Sequence, residues 1–141
     1  MQDFNTLRSI GDSINEHNDC AVIAVAAATG TPYETVHDLM KKFGRRTRGR
    51  TKFNIIEKTL SYLGFKIRKA NIFSLIQTYD PGYKNITMNH FAMYPSIYSG
   101  YTWLAFVSGG GHVAAVVNGK VEDWSDGRKM RVAYLYSVEK A

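Results

Sequence analysis

Apolar and polar positions divide the chain into a helical first two-thirds and a strand-rich final third. Residues Met1 to Asn18 are polar with scattered apolar positions, and read as an extended leading segment with room for a short turn of helix. From Asp19 the pattern changes abruptly to CAVIAVAAAT followed by Gly30. A helix apolar on every side must be central, and glycine readily takes the left-handed conformation that stops it. Thr31, Pro32 and Glu34 form a capping box with proline at the first helical position, and Val36, Leu39, Met40 and Phe43 follow at helical spacing before Gly44. A further helix starts at Thr51 or Asn54, buries Ile55, Ile56, Thr59, Leu60 and Leu63, and stops at Gly64. Phe65 to Ala70 alternates apolar and basic positions as a short strand does. Ile72 to Tyr79 has weak helical spacing, Asp80 to Gly82 turns the chain, and Met88 to Tyr94 reads as a short helix ended by Pro95.

The last third is built differently. Trp103 to Val107 and His112 to Val117 are strand runs separated by a glycine-rich break. Asn118 and Gly119 make a tight hairpin turn, Val121 to Trp124 returns, and Met130 to Val138 adds a strand. Helices first and antiparallel strands afterwards imply an α+β fold in which the Cys20 helix packs on a C-terminal antiparallel sheet. At 141 residues the expectation is a single domain over 1–141. The longest apolar run, Ala21 to Ala28, is far short of the roughly 20 residues of a membrane helix. With one cysteine and no visible secretion signal, the expected compartment is the cytoplasm, without membrane association.

The net charge of +6 is local. Seven of the eighteen basic residues lie between Lys41 and Lys52 with no acid among them, and the remainder of the chain carries a net −1. An anionic partner, either nucleic acid or an acidic protein, would therefore meet this one loop, through Arg45, Arg46, Arg48 and Arg50. No aromatic residue interleaves the charges before Phe53, which disfavours base stacking, and a solvated charge run is the plainer reading.

Cys20 stands where the polar segment gives way to the buried helix, so its sulfur belongs at a helix N-terminus. Unpaired N–H groups and the positive dipole end favour the thiolate there, although a lone cysteine is also an ordinary core residue. His112 opens an apolar strand directly after three glycines, where a polar ring faces a cleft or a partner, and the glycines leave room for a substrate backbone to pass close by. With Asn118 and Gly119 as the turn, Val117 pairs with Lys120, Ala114 with Asp123 and His112 with Ser125. His112 and Asp123 are then diagonal neighbours on one face. An acid accepting from one ring nitrogen leaves the other to exchange a proton with a nucleophile. Asp126, swung inward by a bulge after Trp124, is the rival acid.

The order of cysteine at the start of a central helix, histidine beginning a strand and an acid in the next strand resembles papain-like cysteine peptidases, including the bacteriocin-processing branch. NDCAVIAVAAATGTPYETVHDLM together with SGYTWLAFVSGGGHVAAVVNGKVEDW is similar to small papain-fold proteins of bacteriophage and bacterial genomes, over most of Asn18 to Trp124. The resemblance implies a papain-like fold and a cysteine hydrolase acting on a peptide or protein through a thioester, in a host cytoplasm if the chain is phage-encoded. Cys20 is then the nucleophile, His112 the general base and afterwards the general acid, and Asp123 its orienter. Papain-like enzymes usually carry a glutamine shortly before the cysteine, whose amide donates to the oxyanion; the matching position here is Ile14. Asn15 or Asn18 is the substitute donor, although Asn18 also suits a helix cap.

Other signals point to no cofactor. His17 and Cys20 lack a second pair at metal spacing, and the glycines at 109–111 lack the residues of a phosphate loop. His37, on the polar side of its helix, and His90 read as structural or surface residues. Three function classes follow: a cysteine hydrolase, a catalytically weak or inactive module binding through the basic loop 41–52, and a related thiol chemistry such as deamidation or acyl transfer.

Overall fold

A computed structural model describes residues 3–16, 18–46, 48–72, 74–75, 85–93, 100–107, 109 and 111–141. Helices α1 (Phe4–Ser13), α2 (Cys20–Thr29), α3 (Tyr33–Lys42) and α4 (Phe53–Tyr62) precede strand β1 (Phe65–Lys69) and helix α5 (Met88–Met93). Strands β2 (Thr102–Val107), β3 (His112–Val117), β4 (Lys120–Glu122) and β5 (Val132–Lys140) complete a five-stranded antiparallel sheet of order β1-β5-β2-β3-β4. The fold is mixed α+β. The turn segment expected around Asp80 to Gly82 and the ends at Tyr79, Tyr94 and Pro95 lie outside the described residues.

The leading segment is not extended. Asp3 accepts a hydrogen bond from the Thr6 N–H at 2.8 Å and caps a ten-residue helix, α1, whose Leu7 and Gly11 are buried. Phe4 and Ile10 join the same apolar side. The apolar spacing was helical, but too sparse to stand out until α2 supplied the surface it covers. The capping box expected at Thr31 is absent: Pro32 takes the cap position, and the Thr31 hydroxyl pairs with Thr29 at 2.8 Å. α4 likewise begins at Phe53, behind Lys52, rather than with a Thr51 or Asn54 cap.

α2 explains the rest of the layering. From Ala21 to Ala27 every residue is buried, because α1, α3 and α4 surround the helix on three sides and β3 and β2 form its floor. Gly30, at φ 71°, ends it in the left-handed conformation. β2 and β3 are near-continuous apolar runs because the sheet is covered on both faces. Leu104, Phe106, Val113 and Ala115 meet the helical layer. Trp103, Ala105, Ala114 and Val116 meet a second cluster built on Ile86, Met88 and Phe91 of the α5 region. That second layer was not read from the sequence beyond the short helix itself.

The hairpin forms around Asn118 (φ 52°) and Gly119 (φ 79°), the positive values a two-residue turn of this kind requires. Val117 pairs with Lys120, as its spacing predicts, and the ladder runs on to Ala115 and Glu122. It stops there, so the expected Ala114–Asp123 and His112–Ser125 pairs do not form. Residues 123–127 curl into turns instead, and the final strand begins at Val132 rather than Met130.

Gly11 is where α1 meets the start of α2. A Cβ there would overlap the Asp19 carboxylate and lie 3.1 Å from the Tyr33 hydroxyl. Gly11→Ala is therefore expected to cost about 1–3 kcal/mol by overpacking, read as a lowered thermal midpoint. An unchanged midpoint would show that the α1–α2 contact yields freely.

Candidate active site

Three segments distant in sequence converge at the first turn of α2. The Asp19 carbonyl accepts the first helical hydrogen bond, from Ile23 N at 3.0 Å. The N–H groups of Cys20, Ala21 and Val22 therefore precede the ladder and point out of the helix end. Cys20, half-buried, is the first helical residue. Because α2 packs along β3, His112 at the first position of that strand reaches the same end of the helix. The His112 ring has two side-chain partners. Its Nε2 lies 2.8 Å from Asp123 Oδ2, and the Cys20 sulfur is near enough to act on the charge of the ring, which leaves Nδ1 as the nitrogen available to the sulfur.

Asp123 follows β4 directly and is 7% exposed. Its Oδ2 also accepts from Ser125 N at 3.1 Å and from Ser125 Oγ at 2.5 Å, so the turn after β4 holds the carboxylate against the imidazole. Burial of the His112 ring disfavours its charged form. The Asp123 carboxylate, and after it the Cys20 sulfur, outweigh that burial and push His112 up to about 9. The Trp124 ring packs 5.0 Å from the His112 ring, and the Arg128 guanidinium sits 5.3 Å from Trp124. The exposed Asp126 does not reach the histidine, so the rival acid stands outside the arrangement.

Cys20, His112 and Asp123 line one cleft of about 530 Å³, walled on other sides by Asn18, Asp19, Arg8, Arg50 and Trp124. Asp19 is braced from below: its Oδ2 accepts from the Tyr33 hydroxyl at 2.8 Å, and Tyr33 is fully buried. Burial, and then the bond to Asp19, raise the Tyr33 phenol well above its usual range, so it acts as a fixed donor.

A buried polar cluster holds the segment ahead of Cys20. Glu16, 4% exposed, accepts from Arg45 Nη2 at 3.1 Å and Arg48 N at 2.6 Å, and pairs with His37 Nε2 at 2.7 Å. Burial alone would raise the Glu16 carboxyl. The bonds from Arg45 and His37, with the Arg45 charge, reverse this and hold it at about 2. Arg45 is thus a correction to the expected anion-binding set, because its guanidinium is buried on Glu16. Arg48 stays at the surface, but its Nε turns inward to the Asn15 carbonyl at 2.9 Å. Arg46 and Arg50 remain exposed. His37 is structural through Glu16, and His90 is buried with Nδ1 accepting from Thr87 N.

The two asparagines serve the backbone. Asn15 and Asn18 both have φ 55°, left-handed turns that asparagine tolerates and that bring Glu16 inward between them. Asn15 does not line the cleft. Asn18 does, but its Nδ2 donates to the Arg48 carbonyl at 3.0 Å, and it caps nothing, since Asp19 holds the cap position. Ile14, at the position of the missing glutamine, is exposed. Glu16, Asp19, Tyr33 and Ser125 were missed as site residues. Only Asp19, a carboxylate directly ahead of the cysteine, carried a local signal.

His17 lies outside the described residues, among which no three His, Cys, Asp or Glu side chains gather as a metal site. No helix of the described residues is long and apolar enough to cross a membrane. Comparison with protein families, with curated proteins and with solved structures yields no match for the chain.

Proposed function

We propose that the protein is a papain-like cysteine hydrolase that cleaves a peptide, isopeptide or amide bond of a peptide or protein. The observation that carries this reading is the Asp123–His112–Cys20 relay at the tip of α2, opening on a cleft. A helical layer presenting the nucleophile to a sheet that presents the base supports the papain-like assignment.

The chemistry follows from the contacts. With the thiol proton passed to His112, the Cys20 sulfur attacks the carbonyl carbon and forms the C–S bond, while the carbonyl π electrons move to oxygen. The Cys20 N–H, at the positive end of α2, is placed to receive that oxyanion. Asn18 adds a second donor only by releasing the Arg48 carbonyl. As the intermediate collapses, the C–N bond breaks and His112 gives its proton to the departing amine. Water then attacks the thioester, His112 takes its proton, and the thiolate leaves. Deamidation and acyl transfer share the first half and differ in the amide chosen or in the acceptor.

This reading makes His112 an imidazolium through neutral pH. The His112 resonance in NMR is expected to titrate near 9, and Asp123→Asn or Cys20→Ser to move it down towards the ordinary 6.5. Because the folded value lies above the unfolded one, the stability His112 contributes is full below about 6.5 and is lost as pH rises through about 9. Cleavage of a peptidyl amide is expected to fall on that same alkaline limb, where the proton for the leaving amine is gone. A His112 midpoint at 6.5 that neither substitution moves would sink the relay.

A further inference from the structure

The basic segment is divided between two tasks. Arg45 and Arg48 are turned inward on Glu16 and Asn15, where they fasten the loop to the residues ahead of Cys20. Arg46, Arg50 and Lys52 instead line a second groove, of about 510 Å³, together with Gly49 and Asn54. No carboxylate lines this groove, and none of the three cations has an ion pair among the described residues. Arg50 also lines the Cys20 cleft, so the two depressions share that residue. α4 starts beside them with no acid in its first turn, which adds potential of the same sign.

We infer that this groove is a substrate subsite that takes a run of aspartate or glutamate residues flanking the bond presented to Cys20. The inference rests on the hydrolase reading and specifies its substrate class. Three closely placed cations without counter-ions attract a polyanion, and their continuity with the cleft through Arg50 makes that polyanion part of the molecule being cut. A nucleic acid is the poorer occupant, because the groove's lining offers cations without a row of stacking rings. Its aromatic residue is Phe43, whose ring packs edge-on against Tyr62 at 6.1 Å.

The test is an NMR titration of the full chain with hexaglutamate peptide, run beside iodoacetamide alkylation of Cys20. Shifts are expected at Gly44 to Ile55 and at the cleft wall. They should weaken by roughly tenfold or more in Arg46→Ser/Lys52→Ser, and fade as salt shortens the screening length. A reactive Cys20 with no hexaglutamate shifts, or with shifts that Arg46→Ser/Lys52→Ser leaves intact, overturns the subsite and spares the hydrolase reading. An inert Cys20 overturns the hydrolase reading, and the subsite with it, even if hexaglutamate binds. Tighter binding of a single-stranded oligonucleotide than of hexaglutamate in the same groove also overturns the inference, in favour of nucleic acid.

Discussion

Cys20→Ala is expected to abolish both covalent capture by iodoacetamide and any amide turnover, since the chain has no other thiol. His112→Ala should leave a thiol that alkylates far more slowly at pH 7, and should lower turnover by roughly 10²- to 10⁴-fold, the usual worth of a positioned acid–base group. Nucleophile and base act as a unit, so the double variant should be no worse than Cys20→Ala alone. Intact-mass spectrometry after timed alkylation reads these outcomes directly. Wild-type Cys20 alkylating at the rate of a free cysteine, unaffected by loss of His112, would mean that the nearness of the two side chains has no chemical consequence. The fold would survive that result and the hydrolase reading would not.

The largest effect on stability is expected away from the thiol, at Glu16 and Arg45. Their side chains are each 1% exposed, so removing either one takes the ion-pair partner from a charge held away from solvent. Arg45→Met should cost roughly 3–5 kcal/mol, and Glu16→Met a similar amount, whereas the double replacement should recover much of the loss because neither charge is then left alone. The pH dependence has a defined sign. Glu16 is depressed from 4.5 to about 2, so its contribution is present above about 4.5 and is lost as pH falls towards 2. That span corresponds to a stabilisation on the order of 3 kcal/mol. Denaturant titrations at pH 5 and pH 2 should show a loss of this size in wild type and a much smaller one in Glu16→Gln. Equal midpoints for wild type and Arg45→Met at pH 7 would remove the cluster from any account of how the Cys20 segment is held.

The same cluster shows why part of the site was hidden. Glu16 meets His37, Arg45 and Arg48 across 21, 29 and 32 positions, and nothing local distinguishes it from the exposed Asp3 and Asp12. The seven cations looked like one solvated run because their sum is visible in the chain while their directions are not. Asn15 and Asn18 suggested side-chain donors, yet what they supply is two left-handed turns. α1 escaped notice because its apolar spacing is sparse, and becomes a helix worth forming only against α2. Cys20, His112 and Asp123 were legible because each sits at a boundary that local rules mark: the start of an apolar helix, the start of a strand and the end of the strand that returns from an Asn-Gly turn.

What the chain determines by itself is therefore the set of periodic elements and their stops. A helix apolar on every side must be enclosed, an Asn-Gly pair between apolar runs makes a hairpin, and both follow from backbone geometry and the burial of nonpolar surface over a few residues. What only the tertiary structure decided is which charges went inside and what meets the sulfur. Arg45 is internal because the Glu16 carboxylate, itself held by His37 and the Arg48 N–H, accepts from its guanidinium, and His112 is pushed up to about 9 because Asp123, held by Ser125, and then Cys20 act on its ring. Those outcomes depend on desolvation and on distances between groups far apart in sequence, and neither exists until the helices have docked on the sheet.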